Sequence, residues 1–142
     1  MPTKKTDSTL SDVELAAMKD AVRERKAAKS GKVDGPADLL AKIAEMEEPD
    51  RSMAARIHEL VIAAAPHLQP KTWYGMPAWA KDGKVICFFQ SASKFKVRYA
   101  TFGFQPDAAL DDGSFWPTGW ALTELTPRVE AEITDLVRRA AG

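Results

Sequence analysis

All aromatic side chains in this chain, four Trp, two Tyr and six Phe, lie between Trp73 and Trp120. Residues 1–72 and 121–142 have none. Aromatic side chains carry the largest apolar area per residue and dominate core energetics. The core, and any pocket built into it, must therefore be organised by this central segment. The flanks can cover it only with Leu, Ile, Val, Met and Ala. At 142 residues the chain fits one domain, long enough to bury such a core without disulfides or metal.

The flanks carry helix signals. Ser11 and Glu14 are spaced as a capping box, and Leu10 and Leu15 as a hydrophobic staple. They predict a helix over 12–29, after a polar segment 1–10 expected to be disordered. The apolar stripe of this helix, Leu15, Met18 and Val22, is thin, and Arg23-Glu24-Arg25-Lys26 reads as solvated. Such a helix packs weakly, or docks on a partner protein or a second copy of the chain. Ser30 to Gly35 reads as a terminator and linker. Residues 1–35 are thus expected to form an N-terminal extension, and 36–142 a single domain.

Pro36 suits the first turn of a second helix, 36–47, with Leu39, Leu40 and Ile43 on one face. Asp50 can cap a third, 51–65, where Met53, Ile57, Leu60, Val61 and Ala64 recur at helical spacing. Pro66 and Pro70 stop it. Met76–Lys81 and Lys84–Gln90 read as strands joined by Asp82-Gly83, a favoured two-residue hairpin turn. Lys94–Phe102 alternates as a third strand, and Gly119–Glu124 is a short fourth. Thr126-Pro127 opens a last helix with Val129, Ile133, Leu136, Val137 and Ala140 inward. This order predicts an α+β domain. An antiparallel sheet of three to five strands packs against helices, with helices first, the sheet in the middle and a C-terminal helix last.

Composition excludes several function classes. Twenty basic residues balance twenty acidic ones, which argues against a nucleic-acid binder. The longest uncharged apolar stretch, Leu60 to Pro66, is too short to span a bilayer. With one cysteine, no disulfide framework and no signal peptide, the chain is expected in the cytoplasm. Cys87, within Val85-Ile86-Cys87-Phe88-Phe89, reads as a buried hydrophobe. The two histidines, His58 and His67, form no zinc motif, and the acidic clusters Glu45-Glu47-Glu48-Asp50 and Asp107-Asp111-Asp112 lack the calcium-loop pattern. No nucleophile elbow or phosphate-cradling Gly-rich loop is present, so no catalytic residue is assigned.

Two features point to a ligand. Trp73-Tyr74-Gly75-Met76-Pro77-Ala78-Trp79 reads as a tight bend with large rings on either side, because Gly75 admits backbone angles other residues avoid and Pro77 fixes its own φ. From Lys71 to Arg98 there are six cations and one anion, and Lys94, Lys96 and Arg98 share one face of the expected third strand. The candidate site is therefore the region between bend and basic strand. Trp73, Tyr74, Met76, Trp79 and Trp120 supply apolar walls, and Lys94, Lys96 and Arg98 select an anion by charge and stacking.

The Tyr74-Gly75-Met76-Pro77 motif, the Gly-containing turn after it, the strand Val85–Phe89 and Lys94-Phe95-Lys96 together resemble the YdhG-like family, domain of unknown function 1801. The resemblance spans about residues 36–140. It implies a compact α+β domain with an antiparallel sheet backed by helices. The family includes a frataxin-like iron chaperone, so iron is the one cofactor the resemblance implies; the residues themselves imply none. Many members place a His where this chain has Phe95, and no metal ligand is carried over. The expected function is binding of a small molecule or anion, without catalysis. The alternatives are iron delivery through surface carboxylates, an enzyme of unrecognised type, and a protein-interaction module using helix 12–29.

Overall fold

The computed structural model describes residues 11–142. The polar segment 1–10, and with it Leu10 as the staple partner of Leu15, lies outside the described residues. Three helices come first: α1 (Asp12–Ser30), α2 (Gly35–Ala44) and α3 (Asp50–Ala64). Strands β1 (Gln69–Trp73), β2 (Met76–Lys81) and β3 (Lys84–Gln90) follow, then a single-turn helix α4 (Ala92–Phe95). Strands β4 (Ala100–Phe104) and β5 (Gly119–Leu122) and helix α5 (Pro127–Ala141) complete the chain. The five strands form one antiparallel sheet in sequence order. This is the α+β arrangement expected, with helices first, the sheet in the middle and a helix last.

Local chemistry explains most boundaries. Ser11 and Glu14 form a reciprocal capping box at α1, and Gly31 ends that helix in the left-handed region. Thr126 caps α5 by accepting from the Val129 N–H, with Pro127 in the first turn. Asp82 and Gly83, at φ 51° and 82°, make the two-residue turn between β2 and β3.

Cross-strand partners share a face of the sheet, which sorts the aromatic block into two sets. Trp79 pairs with Cys87, Cys87 with Phe104, Phe89 with Phe102, and Phe102 with Trp120. This face meets Leu39 and Ile43 of α2, Ile57 and Val61 of α3, and Ile133 and Val137 of α5 in one core. Trp73, Met76, Ala78, Phe88 and Gly103 lie on the opposite face. There the Trp73 and Phe88 rings meet at 5.3 Å, and Phe88 lies over Gly103, where an added Cβ would fall 2.5 Å from its ring.

Four expectations need correction. β1 forms where Pro66 and Pro70 read only as stops. Pro70 pairs with Trp79 on the edge strand, a position where the missing N–H removes no ladder bond needed by a further strand. Second, the strand expected over Lys94–Phe102 begins only at Ala100. Ser91 caps α4 through the Lys94 N–H, and Lys96 takes the left-handed region at φ 55°. Lys94, Lys96 and Arg98 therefore do not share a strand face. Third, Asp50 does not cap α3. Pro49 holds that position without a side-chain bond, and the Asp50 carboxylate points elsewhere.

The fourth correction concerns α1. Leu15, Met18 and Val22 are 43, 51 and 40% exposed, and the inward face instead carries Asp20, Ala21 and Glu24. The supposedly solvated Arg23-Glu24-Arg25-Lys26 run thus contains a residue that anchors the helix.

The buried Trp79 and the half-buried His58 form a pair across the α3–sheet boundary. The Trp79 Nε1–H donates to His58 Nδ1 at 3.2 Å, and the rings stack at 6.1 Å. Accepting this bond requires a neutral imidazole. Burial holds the His58 pKa below its ordinary value, against a smaller upward pull from Glu59. The unfolded chain therefore binds more protons once the pH falls below about 6.5, and stability declines from there through the lower folded-state value. Urea unfolding at pH 7.5 and 5.5 should register that decline in the native sequence, and His58→Gln, which keeps an acceptor without titrating, should flatten it. Equal pH dependence in both chains would refute this assignment.

Candidate functional site

Tyr74 and Gly75 have φ 53° and 78° and close the β1–β2 hairpin, with Trp73 opposite Met76. In this mirror-image turn the two central N–H groups point away from the hairpin and need an outside acceptor. Glu24 of α1 supplies it. Its Oε1 accepts from the Tyr74 N–H and its Oε2 from the Gly75 N–H, each at 3.0 Å. One helical turn earlier, Asp20 presses on the same glycine, where an added Cβ would fall 2.2 Å from Asp20 Oδ2. Only glycine satisfies both the backbone angle and this contact.

Asp20 is nearly buried and collects three cations. Lys42 Nζ of α2 lies 3.3 Å from Oδ1, Lys94 Nζ of α4 lies 3.6 Å from Oδ2, and Arg23 of α1 donates to Oδ1. Burial alone would raise the Asp20 pKa, but Lys42, Arg23 and Lys94 together outweigh it and hold the carboxyl below its usual range. Lys42 also meets Glu45 at 3.5 Å.

Two depressions flank this point. A cleft of about 240 Å³ opens beside Gly75 and is lined by Lys42, Lys94, Ser91 and Ser93, with Glu45 and Glu47 among its walls. A groove of about 890 Å³ separates α1 from β1 and the start of α2, with Glu24, Arg25, Lys71, Trp73 and Tyr74 in its lining. Among the described residues β1 is the sheet edge, and its outer backbone groups have no strand partner there.

Asp50 is buried and binds two residues of the cleft lining, Ser91 and Ser93. Its Oδ2 accepts from Ser91 Oγ at 2.6 Å, the Ser93 N–H at 2.9 Å and Ser93 Oγ at 3.0 Å. Burial pushes this carboxyl up, but the bonds from Ser91 and Ser93 outweigh it and lower its pKa. These bonds fix α4 to the start of α3 and so fix the position of Lys94.

The structure brings Trp73, Tyr74, Met76 and Lys94 to this end of the sheet and separates the other candidates. Trp79 is fully buried against His58, and Trp120 packs on Phe104 at 5.6 Å on the core face. Lys96 and Arg98 are exposed in the loop after α4, where Arg98 lies over the Tyr99 ring at 5.3 Å. Sequence reasoning missed Asp20, Glu24 and Lys42. Their i, i+4 carboxylates were legible on one helix face, but the partners lie 22 to 74 residues away along the chain for Asp20 and about 50 for Glu24. Cys87 is buried, and burial pushes its thiol pKa up, so it serves the core.

Among the described residues no group of three or more His, Cys, Asp and Glu side chains is placed to hold a metal ion, and no helix is long and apolar enough to cross a membrane. Compared with known proteins, the chain matches no family model, no curated protein and no solved structure.

Proposed function

We propose that this chain is a non-enzymatic binding protein for a small anionic ligand. The ligand enters the cleft beside Gly75, between Lys42 and Lys94, and the rings of Trp73 and Tyr74 lie at the neighbouring turn. One observation carries the reading: on either side of Gly75 two lysine ammonium groups, from α2 and α4, meet the buried Asp20 carboxylate, and two outward turn N–H groups meet the neighbouring Glu24 carboxylate. Ammonium groups and paired backbone N–H groups that hold carboxylates are also the means by which proteins hold oxoanions. The 240 Å³ cleft gives such an ion a way in from solvent. Packing accounts for three displaced titratable groups outside the cleft. Asp50 secures α4, His58 accepts from Trp79, and Cys87 fills the core.

Pyrophosphate titrated into the full chain is expected to shift the Tyr74 and Gly75 amide resonances and to change tryptophan emission through Trp73. Lys94→Ala should weaken this binding about tenfold, corresponding to the loss of one charge-assisted contact worth about 1.4 kcal/mol. Equal affinity for pyrophosphate in the native and Lys94→Ala chains would remove the reading.

A further inference from the structure

Helix α1 is long but makes little apolar contact. Across its 19 residues the described buried side chains are Asp20 and Ala21 alone. Of its larger apolar side chains, Leu15, Met18 and Val22 face solvent and only Val13 is half-buried. A groove of about 890 Å³ lies between it and β1. The contacts that hold its middle are the carboxylates of Asp20 and Glu24 on Lys42, Lys94 and the Tyr74 and Gly75 N–H groups. Residues 31–34, which join it to α2, are exposed, and Gly31 takes the left-handed region. Apolar burial is what fixes most helices on their domains, and ionic contacts alone are weakened by salt and by competing ions.

We infer that α1 is a displaceable plug of the anion site, in which Asp20 and Glu24 occupy the places of two oxoanion groups of a single ligand. This rests on the anion-binding reading above. Each carboxylate uses donors of its own, the lysine pair for Asp20 and the turn for Glu24. At i, i+4 spacing their Cβ atoms lie about 5–6 Å apart on one helix face. The ligand class is therefore a small molecule with two neighbouring oxoanion groups, a diphosphate or a dicarboxylate. While Asp20 is seated, it engages both Lys42 and Lys94, and Glu24 fills the turn N–H groups. Ligand binding and α1 docking are then mutually exclusive, and the free protein holds its site closed.

The test uses the full chain in three forms: native, Asp20→Asn and Glu24→Gln. Glu24 is only partly buried, so Glu24→Gln preserves the test should Asp20→Asn fold poorly. Pyrophosphate and glutarate are titrated into each, and hydrogen exchange of the α1 amides is followed with and without the probe. At least one probe is expected to bind both variants tenfold or more tightly than the native chain. That probe should also lower α1 protection in the native chain. A probe that binds all three forms equally and leaves α1 protection unchanged would overturn the plug and leave the site standing. Failure of both probes to bind any form would overturn the plug and the anion site together.

Discussion

Asp50→Ala is expected to destabilise the protein by about 3 kcal/mol, read as a lower urea midpoint at unchanged slope. The carboxylate is buried and accepts from two hydroxyls and one backbone N–H. Removing it leaves those donors without their acceptor, and a buried donor without a partner costs more than the bond was worth. Asp50→Asn should cost less, about 1–2 kcal/mol, because the amide oxygen still accepts but without charge. Since α4 carries Lys94, both changes should also loosen the contact between Lys94 and Asp20. A cost below about 1 kcal/mol for Asp50→Ala would mean that the two serines find other partners.

Gly75→Ala is expected to cost about 2–3 kcal/mol and to free α1 from the domain. Two terms add. A non-glycine residue in the left-handed region costs about 1 kcal/mol or slightly more. The new Cβ would also stand 2.2 Å from Asp20 Oδ2, so Asp20 must leave its cations. The second term cannot exceed the docking energy of α1, because the helix can simply leave. Gly83→Ala provides the control. Gly83 has φ 82°, but no described residue lies within 4 Å of its Cβ position, so it should show the backbone term alone. Hydrogen exchange over residues 12–30 should rise in Gly75→Ala and not in Gly83→Ala. The same response in both would show that the Asp20 contact contributes nothing.

These two variants probe interactions that differ in how far the sequence reveals them. Gly75 was visible as a special backbone position, because a glycine flanked by rings and followed two residues later by proline has few other uses. Its contact with Asp20, 55 positions away, leaves no periodic trace. Asp50 illustrates the converse. Its place before an apolar helical stripe fits an N-cap, yet Ser91 and Ser93 outcompete the helix for it. The Lys94–Phe102 segment misleads for a related reason: alternation over a few residues also fits a capped helical turn followed by a left-handed residue, and Ser91 tips the balance.

Legible in the order of residues were the succession of helices, sheet and last helix, the caps of α1 and α5, the Asp82-Gly83 hairpin and the confinement of the aromatic residues to one segment. Those are set by periodicity, capping and turn chemistry, which act over a few residues. Only the tertiary structure decided which face each ring occupies, that Pro70 lies in an edge strand, and that Lys42 joins Lys94 in place of Lys96 and Arg98. Above all it decided that the polar helix α1 seats two carboxylates on the Tyr74–Gly75 turn. A charged side chain is compatible with solvent or with a distant counter-charge, and the choice between them is made only when the fold brings the partners together.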